Sequence, residues 1–396
     1  MPSPSPDHPG LFIRDPFHFS DAMLVIPPVL VECLQCFDGR QTDLDLRASL
    51  VRVTNDLNVG EIQQHLVRTL SDAGFLEDEN FERMQAQCRS DFAAAPVREA
   101  AHAGGAYPED AAALAETMKR YMADGAGSAA PLDTADGLFA IAAPHVSPEG
   151  GWESYRAAFR MIRPEHRDRT FVILGTSHYG EPEKFGLTRK NYATPFGQAV
   201  SDPRLVDWLA ARGGGAVQME DYCHSFEHTI EFQVVFLQHM LGPDVRILPI
   251  LCGSFARSLY QGGDPEDTSE VKGFLDALGE LNDREGDRLF WILGVDMAHM
   301  GARYGDRFEA AANQGVMNEV SARDAARIER INASDAGGFW DLVRENRDDL
   351  KWCGSAPFYT FLKAAPKARG KLLHYEQWNI DEQSVVSFAG MSFSKG

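Results

Sequence analysis

The chain has no apolar run long enough to span a bilayer, and its start, MPSPSPDHPG, lacks the basic segment and apolar stretch of an export signal. These absences predict an intracellular, cytoplasmic protein without a membrane partner. Basic residues are also scarce, with 38 Lys and Arg against 58 Asp and Glu, a net charge of −20. Because such a surface repels phosphate backbones, we expect no nucleic acid partner.

Cysteine is sparse too, with six in 396 residues, which excludes a disulfide framework. Only Cys33 and Cys36, in CLQC, have a spacing typical of metal ligands. A structural zinc site needs a second pair, and no further CxxC or CxxH follows. We therefore expect these two cysteines in the core of a small helical unit rather than on zinc.

The length of 396 residues and a hydrophobic content of 44% allow one large domain and one small one. Residues 1–15 are rich in Pro and Ser, which predicts a disordered tail. Helical spacing of apolar residues predicts a small helical, winged-helix-like domain over 16–85, and 86–95 is expected to be a linker. The main domain then spans 96–396, with a flexible Gly- and Ala-rich stretch at 124–131.

The small domain is acidic, with 7 Arg or Lys against 15 Asp or Glu in residues 1–95. That charge argues against DNA binding even for a winged-helix shape. The turn DGR at 38–40 and the segment AGFLE at 73–77 resemble PqqD-like winged-helix units. Those units hold peptides or partner enzymes, so the resemblance implies a docking role for this domain.

From about residue 137, short apolar runs alternate with helical stretches. The runs are LFAIAAPH, FVILGTSH, RILPILCGS, LFWILGVDMAH and SVVSFAGMSF. Continuous apolar runs separated by helices are typical of strands that are covered on both faces. The pattern predicts an α/β domain with a largely parallel sheet and helices on both sides.

Three of these runs end in an imidazole, at His145, His178 and His299. In open parallel α/β sheets, ligands bind beyond the carboxyl ends of the strands. Histidines on neighbouring strands can therefore converge there. Because each is costly to bury alone, convergence predicts a shared partner, either a metal ion or an anionic substrate.

A second polar cluster lies at 220–236, EDYCHSFEHTIEFQVVF. Ser225 is a plausible helix N-cap there, with Glu227 and His228 in the first turn. His228 and Glu231 are three apart and so share a helix face. Such a helix start suits acid–base chemistry, although it is also compatible with a first turn that simply caps itself in solvent.

Asp296, three residues before His299, can ligate a divalent ion or fix the tautomer of a neighbouring imidazole. A turn-capping aspartate is the competing interpretation. His102 lies among turn-forming glycines and is expected in a turn. The remaining histidines, including His374, are expected at the surface or in the core.

With these residues in place, residues ~96–396 resemble the Memo family, also called AmmeMemoRadiSam system protein B. The matching pieces follow the family order. They are VREAAHAGGAYPED, IAAPHVSPEGG, FVILGTSHYG, EHTIEFQ, ILPILCG, VDMAH and CGSAPFYTFL.

The resemblance implies a fold like that of class III extradiol dioxygenases, which hold non-haem iron with two imidazoles and a carboxylate. Carried over, His145 and His178 become metal ligands for iron or copper, and His228 becomes the third pocket histidine with an acid–base role. Some family members have Cys where this chain has Ala298, so a thiolate ligand is expected to be missing here. The resemblance then implies either that Asp296, His299, His228 or water completes the site or that the site binds metal weakly. The system name implies a radical SAM protein and an AMMECR-type protein as partners.

Three hypotheses follow. The first is a metal-dependent redox enzyme of dioxygenase-like ancestry. The second is a non-catalytic scaffold that binds a small molecule or peptide for a radical SAM partner, which the missing thiolate at Ala298 favours slightly. The third, a serine hydrolase using Ser177, lacks the G-x-S-x-G elbow and is disfavoured.

Overall fold

The computed structural model describes residues 7–123 and 137–396. The chain divides into two compact units, one that ends at Ala94 and one that begins at Ala95. The flexible stretch expected at 124–131 lies outside the described residues. No helix within the described ranges combines the length and apolar character needed to cross a membrane.

The first unit is a two-stranded antiparallel sheet followed by helices around a small apolar core. Its elements are β1 Leu11–Arg14, β2 Met23–Ile26, α1 Pro28–Val31, a 3₁₀ turn Glu32–Cys36, α2 Asp43–Thr54, α3 Gly60–Asp72 and α4 Glu79–Ala94. The Thr42 side chain and Asp45 form a capping box that fixes the start of α2. Gly74 follows α3 in the left-handed region, as expected of a glycine that stops a helix.

Two boundaries of this unit differ from the sequence prediction. Leu11–Arg14 is not disordered, because it pairs with Met23–Ile26; residues 1–6 of the predicted tail lie outside the described part. The expected linker at 86–95 is instead helical up to Ala94. The strand β1 has only four residues, and their burial does not alternate, so the sequence offered no strand period there.

The second unit is built on a large mixed sheet. Its strands are β3 Val97–Arg98, β4 Leu138–Ala143, β5 Thr170–Thr176, β6 Phe185–Leu187, β7 Asn191–Thr194, β8 Gly197–Ser201, β9 Val217–Met219, β10 Arg246–Cys252, β11 Leu289–Gly294, β12 His299–Gly301, β13 Ala368–Asp381 and β14 Ser384–Lys395. The main path runs β12-β14-β4-β11-β5-β10-β8-β7-β3, with β13 paired to β14 and β6 to β10 and β9.

Helices cover both faces of this sheet. They are α5 Ala111–Met122, α6 Pro148–Phe159, α7 Pro203–Gly213, α8 His228–Leu241, α9 Ala256–Gln261, α10 Ser269–Glu285, α11 Val316–Asn332, α12 Ala336–Arg344 and α13 Ser355–Ala364. Shorter 3₁₀ turns lie at Pro164–His166, Gly214–Ala216, Tyr222–Ser225, Pro265–Asp267, Gly286–Arg288, Ala302–Tyr304 and Glu345–Arg347.

The centre of the sheet is parallel, as predicted: β4, β11, β5 and β10 run in the same direction in that order. Every residue of β4, β5 and β11 is buried, because α5, α6 and α8 contribute to the core on one face and α7, α10 and α13 to the core on the other. The long β13 and β14 are antiparallel, which the sequence pattern did not predict. The fold is therefore α/β with a mixed, mostly parallel sheet.

Candidate metal centre

Three imidazoles meet at the carboxyl ends of the central strands. His145 follows β4, His178 follows β5, and His228 is the first residue of α8. The ring centroids of His145 and His178 are 5.0 Å apart, those of His145 and His228 5.3 Å, and those of His178 and His228 5.2 Å. Because β11 pairs with both β4 and β5, the strand ends that carry these residues lie at one edge of the sheet.

Two glycines allow α8 to reach this edge. A Cβ atom on Gly175, in β5, would lie 2.4 Å from Thr229 Oγ1, and one on Gly294, at the end of β11, would lie 2.4 Å from Thr229 O. The Thr229 hydroxyl in turn donates a hydrogen bond of 2.9 Å to Thr176 O. The first turn of α8 therefore lies directly on the strand ends, and it brings His228 to the other two rings.

Glu227 orients two of the three histidines. Its carboxylate is 3.1 Å and 3.2 Å from Nδ1 of His178 and 3.0 Å from Nδ1 of His228. Burial would raise the pKa of Glu227, but the charge and hydrogen bonds of His178 and His228 outweigh it and hold that pKa well below its ordinary value. Because the carboxylate only accepts, Nδ1 of His178 donates, and Nε2 of His178 is left as the atom that can bind a ligand.

His145 is oriented by backbone and carboxylate groups of the neighbouring strand end. Its Nδ1 donates to Gly294 O at 2.9 Å, and its amide donates to Asp296 Oδ1 at 2.9 Å. Burial, followed by the nearby His178 and His228, lowers the pKa of His145 well below its usual value. His145 is thus a neutral imidazole whose Nε2 lone pair is free for coordination.

Cys353 completes the group. Its sulfur lies 3.2 Å from Nε2 of His145, and the ligand atoms of His145, His178 and Cys353 all lie within 4.8 Å of one another. Although Ala298 stands where some family members have Cys, a sulfur does reach this group, from Cys353 in the loop before α13. Burial raises the pKa of the Cys353 thiol well above its ordinary value, so a nearby cation is what would favour the thiolate.

The predicted residues Asp296 and His299 lie beside this group. Asp296 Oδ2 is 3.5 Å from Nε2 of His145, and burial raises the pKa of Asp296. His299 Nδ1 donates to Met297 O at 3.0 Å and to Lys351 O at 3.1 Å, and burial lowers the pKa of His299 to about 4. His299 is therefore a neutral residue of the cavity wall rather than a member of the ligand group.

An open cavity of about 630 Å³ gives access to these groups. Beyond the five predicted residues and Cys353, its wall is partly apolar and carries two basic side chains and two phenols. They are Val146, Ser147, Tyr179, Arg303, Tyr304, Lys351, Ile380 and Val386. A small molecule with a negative group would fit this mixed lining.

The structure corrects the predicted start of α8. Glu227, not Ser225, is the N-cap, and the Ser225 hydroxyl donates to Tyr222 O instead. Glu231 does not face the cavity, because it forms a buried ion pair with Arg98 and accepts from the Tyr107 hydroxyl.

The ion pair gives the motif VREAAHAGGAYPED a structural role, because its Arg98 is the cationic partner of Glu231. The Arg98 guanidinium also donates to His224 O at 2.7 Å and to Glu227 O at 2.9 Å, so it holds the segment that carries Glu227 and His228. His102 was expected merely in a turn, but its ring lies 5.6 Å from that of His228 and its Nε2 donates to Phe226 O. In the sequence, the arginine of this motif was the one signal for the Arg98–Glu231 pair, since a buried arginine needs a carboxylate partner.

The CLQC pair lies in the 3₁₀ turn of the first unit, with Cys33 fully buried in its apolar core and Cys36 packed against that core. Neither residue belongs to a group of three potential ligands among the described residues.

Sequence comparison shows the family of this chain. The sequence model of the Memo-like protein family matches residues 98–392, about three quarters of the chain. The chain belongs to the Memo family. The match covers His145, His178, His228 and Cys353 and every residue of the cavity wall.

Members of this family from distant organisms are similar over most of the chain. A MEMO1 family protein of Aquifex aeolicus is 25% identical over 385 residues, 96% of this chain and 95% of its own length. Those of Thermococcus kodakarensis and Pyrococcus furiosus are 28% and 29% identical over 310 residues, 76% of this chain and 100% and 99% of their own lengths. The match to the Aquifex protein is therefore long enough to include most of the first unit, whereas the two archaeal proteins match over a length close to that of the second.

Proposed function

We propose that this Memo-family protein is a metal-dependent redox protein that holds copper or iron with His145, His178 and Cys353. The observation that carries the proposal is the convergence of one ring nitrogen from each of His145 and His178 and the sulfur of Cys353, all within 4.8 Å of one another. Two imidazoles and a thiolate suit copper and ferrous iron, and hard ions such as magnesium are disfavoured by the sulfur.

The hydrogen bonds of the two imidazoles fit such an ion. Each ligating imidazole already uses Nδ1 on an acceptor outside the group, Gly294 O for His145 and Glu227 for His178. This arrangement fixes the tautomer that leaves Nε2 free, as is general for metal-bound histidines. A bound copper or iron ion would supply one-electron redox chemistry at the bottom of the cavity.

The surrounding residues have separate tasks in this proposal. Asp296 accepts from the amide of His145 and lies close enough to hold a ligand or a proton beside the metal. His228 is the acid–base group, since its Nδ1 is held by Glu227 and its ring faces His145. Arg303 and Lys351 in the cavity wall attract an anionic substrate. The likeness to class III extradiol dioxygenases is part of this proposal and not a separate support for it.

The test is metal content after reconstitution under anaerobic conditions. Parent protein, His145→Ala, His178→Ala and Cys353→Ser are loaded with Cu(I) or Fe(II), desalted and analysed by mass spectrometry of the metal. We expect about one equivalent in the parent and a large loss in each variant. Cys88→Ser, in the first unit, is the matched control and should keep the full equivalent. Equal metal in the parent and the three site variants would contradict the assignment.

The scaffold hypothesis loses the argument that favoured it, because Cys353 supplies the sulfur that Ala298 does not. A radical SAM protein and an AMMECR-type protein remain proposed partners, and docking of a peptide or partner remains the proposed role of the acidic first unit. Affinity purification from native cells tests the proposed partners and the docking role. A stoichiometric partner, together with no oxygen uptake by the protein on any candidate substrate, would favour the scaffold hypothesis.

A further inference from the structure

A second group of ligating side chains lies away from the cavity, between α6 and β13. We propose that Glu153, His374 and Glu376 form a second divalent-cation site, suited to zinc. Their ligand atoms lie within 4.8 Å of one another. One imidazole and two carboxylates suit zinc, manganese or ferrous iron, and we take zinc as the reference ion.

The local fold presents these three side chains to one another. His374 and Glu376 are two residues apart on β13 and so point to the same face of the sheet. His374 pairs with Gly390 of β14, where a Cβ atom would lie 2.5 Å from Ser154 O. The missing side chain lets α6 approach the sheet, and this places Glu153 opposite the two strand residues.

The separation of Glu153 and His374 is that of a weak ion pair, and it also fits two ligands of a common ion. Glu153 Oε2 lies 3.6 Å from Nε2 of His374, which is too long for a hydrogen bond. Two ligand atoms that each lie about 2.1 Å from one tetrahedral zinc ion are separated by roughly 3.4–3.6 Å. Ser154 Oγ, 2.7 Å from Nδ1 of His374, occupies the other ring nitrogen, as a supporting group does in metal sites.

The carboxylate of Glu376 has an unpartnered oxygen, which also points to a cation here. Its Oε2 atom is fully buried and has no hydrogen-bond partner, an arrangement that is costly for a carboxylate without a cation. Burial, followed by the neighbouring Glu153, raises the pKa of Glu376 to about 7. Arg156, whose charge acts on His374, stacks on the Trp152 ring and donates to Ala123 O.

A cation held by Glu153, His374 and Glu376 would link α6 to β13. Because α6 begins at Pro148, two residues from the cavity-wall residue Val146, such a link would also steady the wall of the main cavity. This site needs none of the residues that hold copper or iron in the proposed function.

The experiment is a zinc titration of metal-free protein by calorimetry, with excess Mg²⁺ present to occupy weak exposed carboxylates. We expect the number of tightly bound zinc ions to fall by one in His374→Gln and Glu376→Gln relative to the parent. Glu149→Gln, on the same helix, and His65→Gln, in the first unit, are matched controls and should keep the parent number. Zinc should also raise the Tm of the parent and of Cys353→Ser, but by clearly less in His374→Gln.

The same number of tightly bound zinc ions in the parent, His374→Gln and Glu376→Gln would overturn the second site. Two variants are used so that a folding defect in one, detected by circular dichroism, leaves the other to decide. A negative result for the second site would not affect the proposed function. The proposed function depends on metal held by His145, His178 and Cys353, and it is tested with variants of those residues.

Discussion

The sulfur of Cys353 lies 3.2 Å from Nε2 of His145, although 208 residues separate the two along the chain. The loop that carries the cysteine is fastened to two strand ends. Thr176 Oγ1 donates to Cys353 O at 3.1 Å, and the Gly354 amide donates to Asp296 O at 3.0 Å. A Cβ atom on Gly354 would lie 2.6 Å from that same Asp296 oxygen, so the close approach requires glycine.

Glu227→Gln tests the orienting role of this carboxylate. An amide at this position keeps the size of the side chain but removes the charge that holds Nδ1 of both His178 and His228. We expect metal affinity to fall roughly 10–100-fold with the fold retained, as for other groups that support metal ligands. Competition with a chelator of known affinity measures it. The exposed Glu181→Gln is the control, and an unchanged affinity in Glu227→Gln would remove this carboxylate from the account.

Arg98→Met should destabilise the second unit strongly. It leaves Glu231 as an unpaired charge in the core, since both side chains of this ion pair are fully buried. Breaking one partner of such a pair costs about 3–5 kcal/mol. Urea unfolding measures the change, with Lys119→Met in the exposed Lys119–Glu116 pair as the control that should stay near the parent. The double variant with Glu231→Met should lose less than the sum of the two single variants.

Gly294→Ala should displace the first turn of α8. The new Cβ atom would lie 2.4 Å from Thr229 O, a backbone atom that cannot rotate away. Overpacking of this kind costs about 1–3 kcal/mol, and it should also weaken metal binding because His228 and Glu227 precede Thr229. Gly273→Ala, in α10 with free space around the Cβ position, should instead stabilise by about 0.5–1 kcal/mol. Thermal and urea unfolding should show a lower free energy of unfolding for Gly294→Ala and a higher one for Gly273→Ala. A stability of Gly294→Ala equal to or above that of the parent would contradict the contact with Thr229.

Stability should fall on acidification below about pH 6.5 because of buried neutral histidines. Burial is the main cause that lowers the pKa of His224 and of His166. Below pH 6.5 the two histidines bind protons in the unfolded chain but not in the native state. Each one therefore lowers the free energy of unfolding by up to about 1.4 kcal/mol per pH unit below its ordinary pKa. His224 is held on both ring nitrogens, by the Tyr192 hydroxyl and Gly186 O. Urea unfolding of metal-free Glu376→Gln at pH 7.5, 6.5 and 5.5 checks the slope, because the raised pKa of Glu376 would otherwise act in the opposite direction. Constant stability of this variant across the range would contradict the prediction.

Four of the six residues central to this site were accessible from sequence because parallel strands end at one edge of a sheet. His145, His178 and Asp296 each follow an apolar run, and a helix start with adjacent acid and imidazole identified His228. Glu227 was noticed in the first turn, but its role as the common acceptor for two imidazoles depends on how α8 packs. Nothing in the local sequence determines that packing.

Cys353 was missed as a member of this group for a different reason. It follows no strand, and its position depends on the contacts of the loop before α13 with β5 and with Asp296. The strand β13 was also outside the reach of sequence patterns, whereas the run SVVSFAGMSF identified β14 but not its antiparallel direction. The half-exposed β13 contains charged and polar residues on both faces, so it lacks the clean alternation that predicts a strand. As a result, His374 was placed among surface or core residues.

The most direct test of the central claim is X-ray absorption at the metal edge of copper-loaded or iron-loaded protein. The account predicts a sulfur scatterer at about 2.3 Å in the parent, alongside nitrogen ligands with imidazole signatures. That sulfur should be absent from Cys353→Ser and present in Cys88→Ser. A spectrum with no sulfur in the parent, or with the same sulfur in Cys353→Ser, would contradict it.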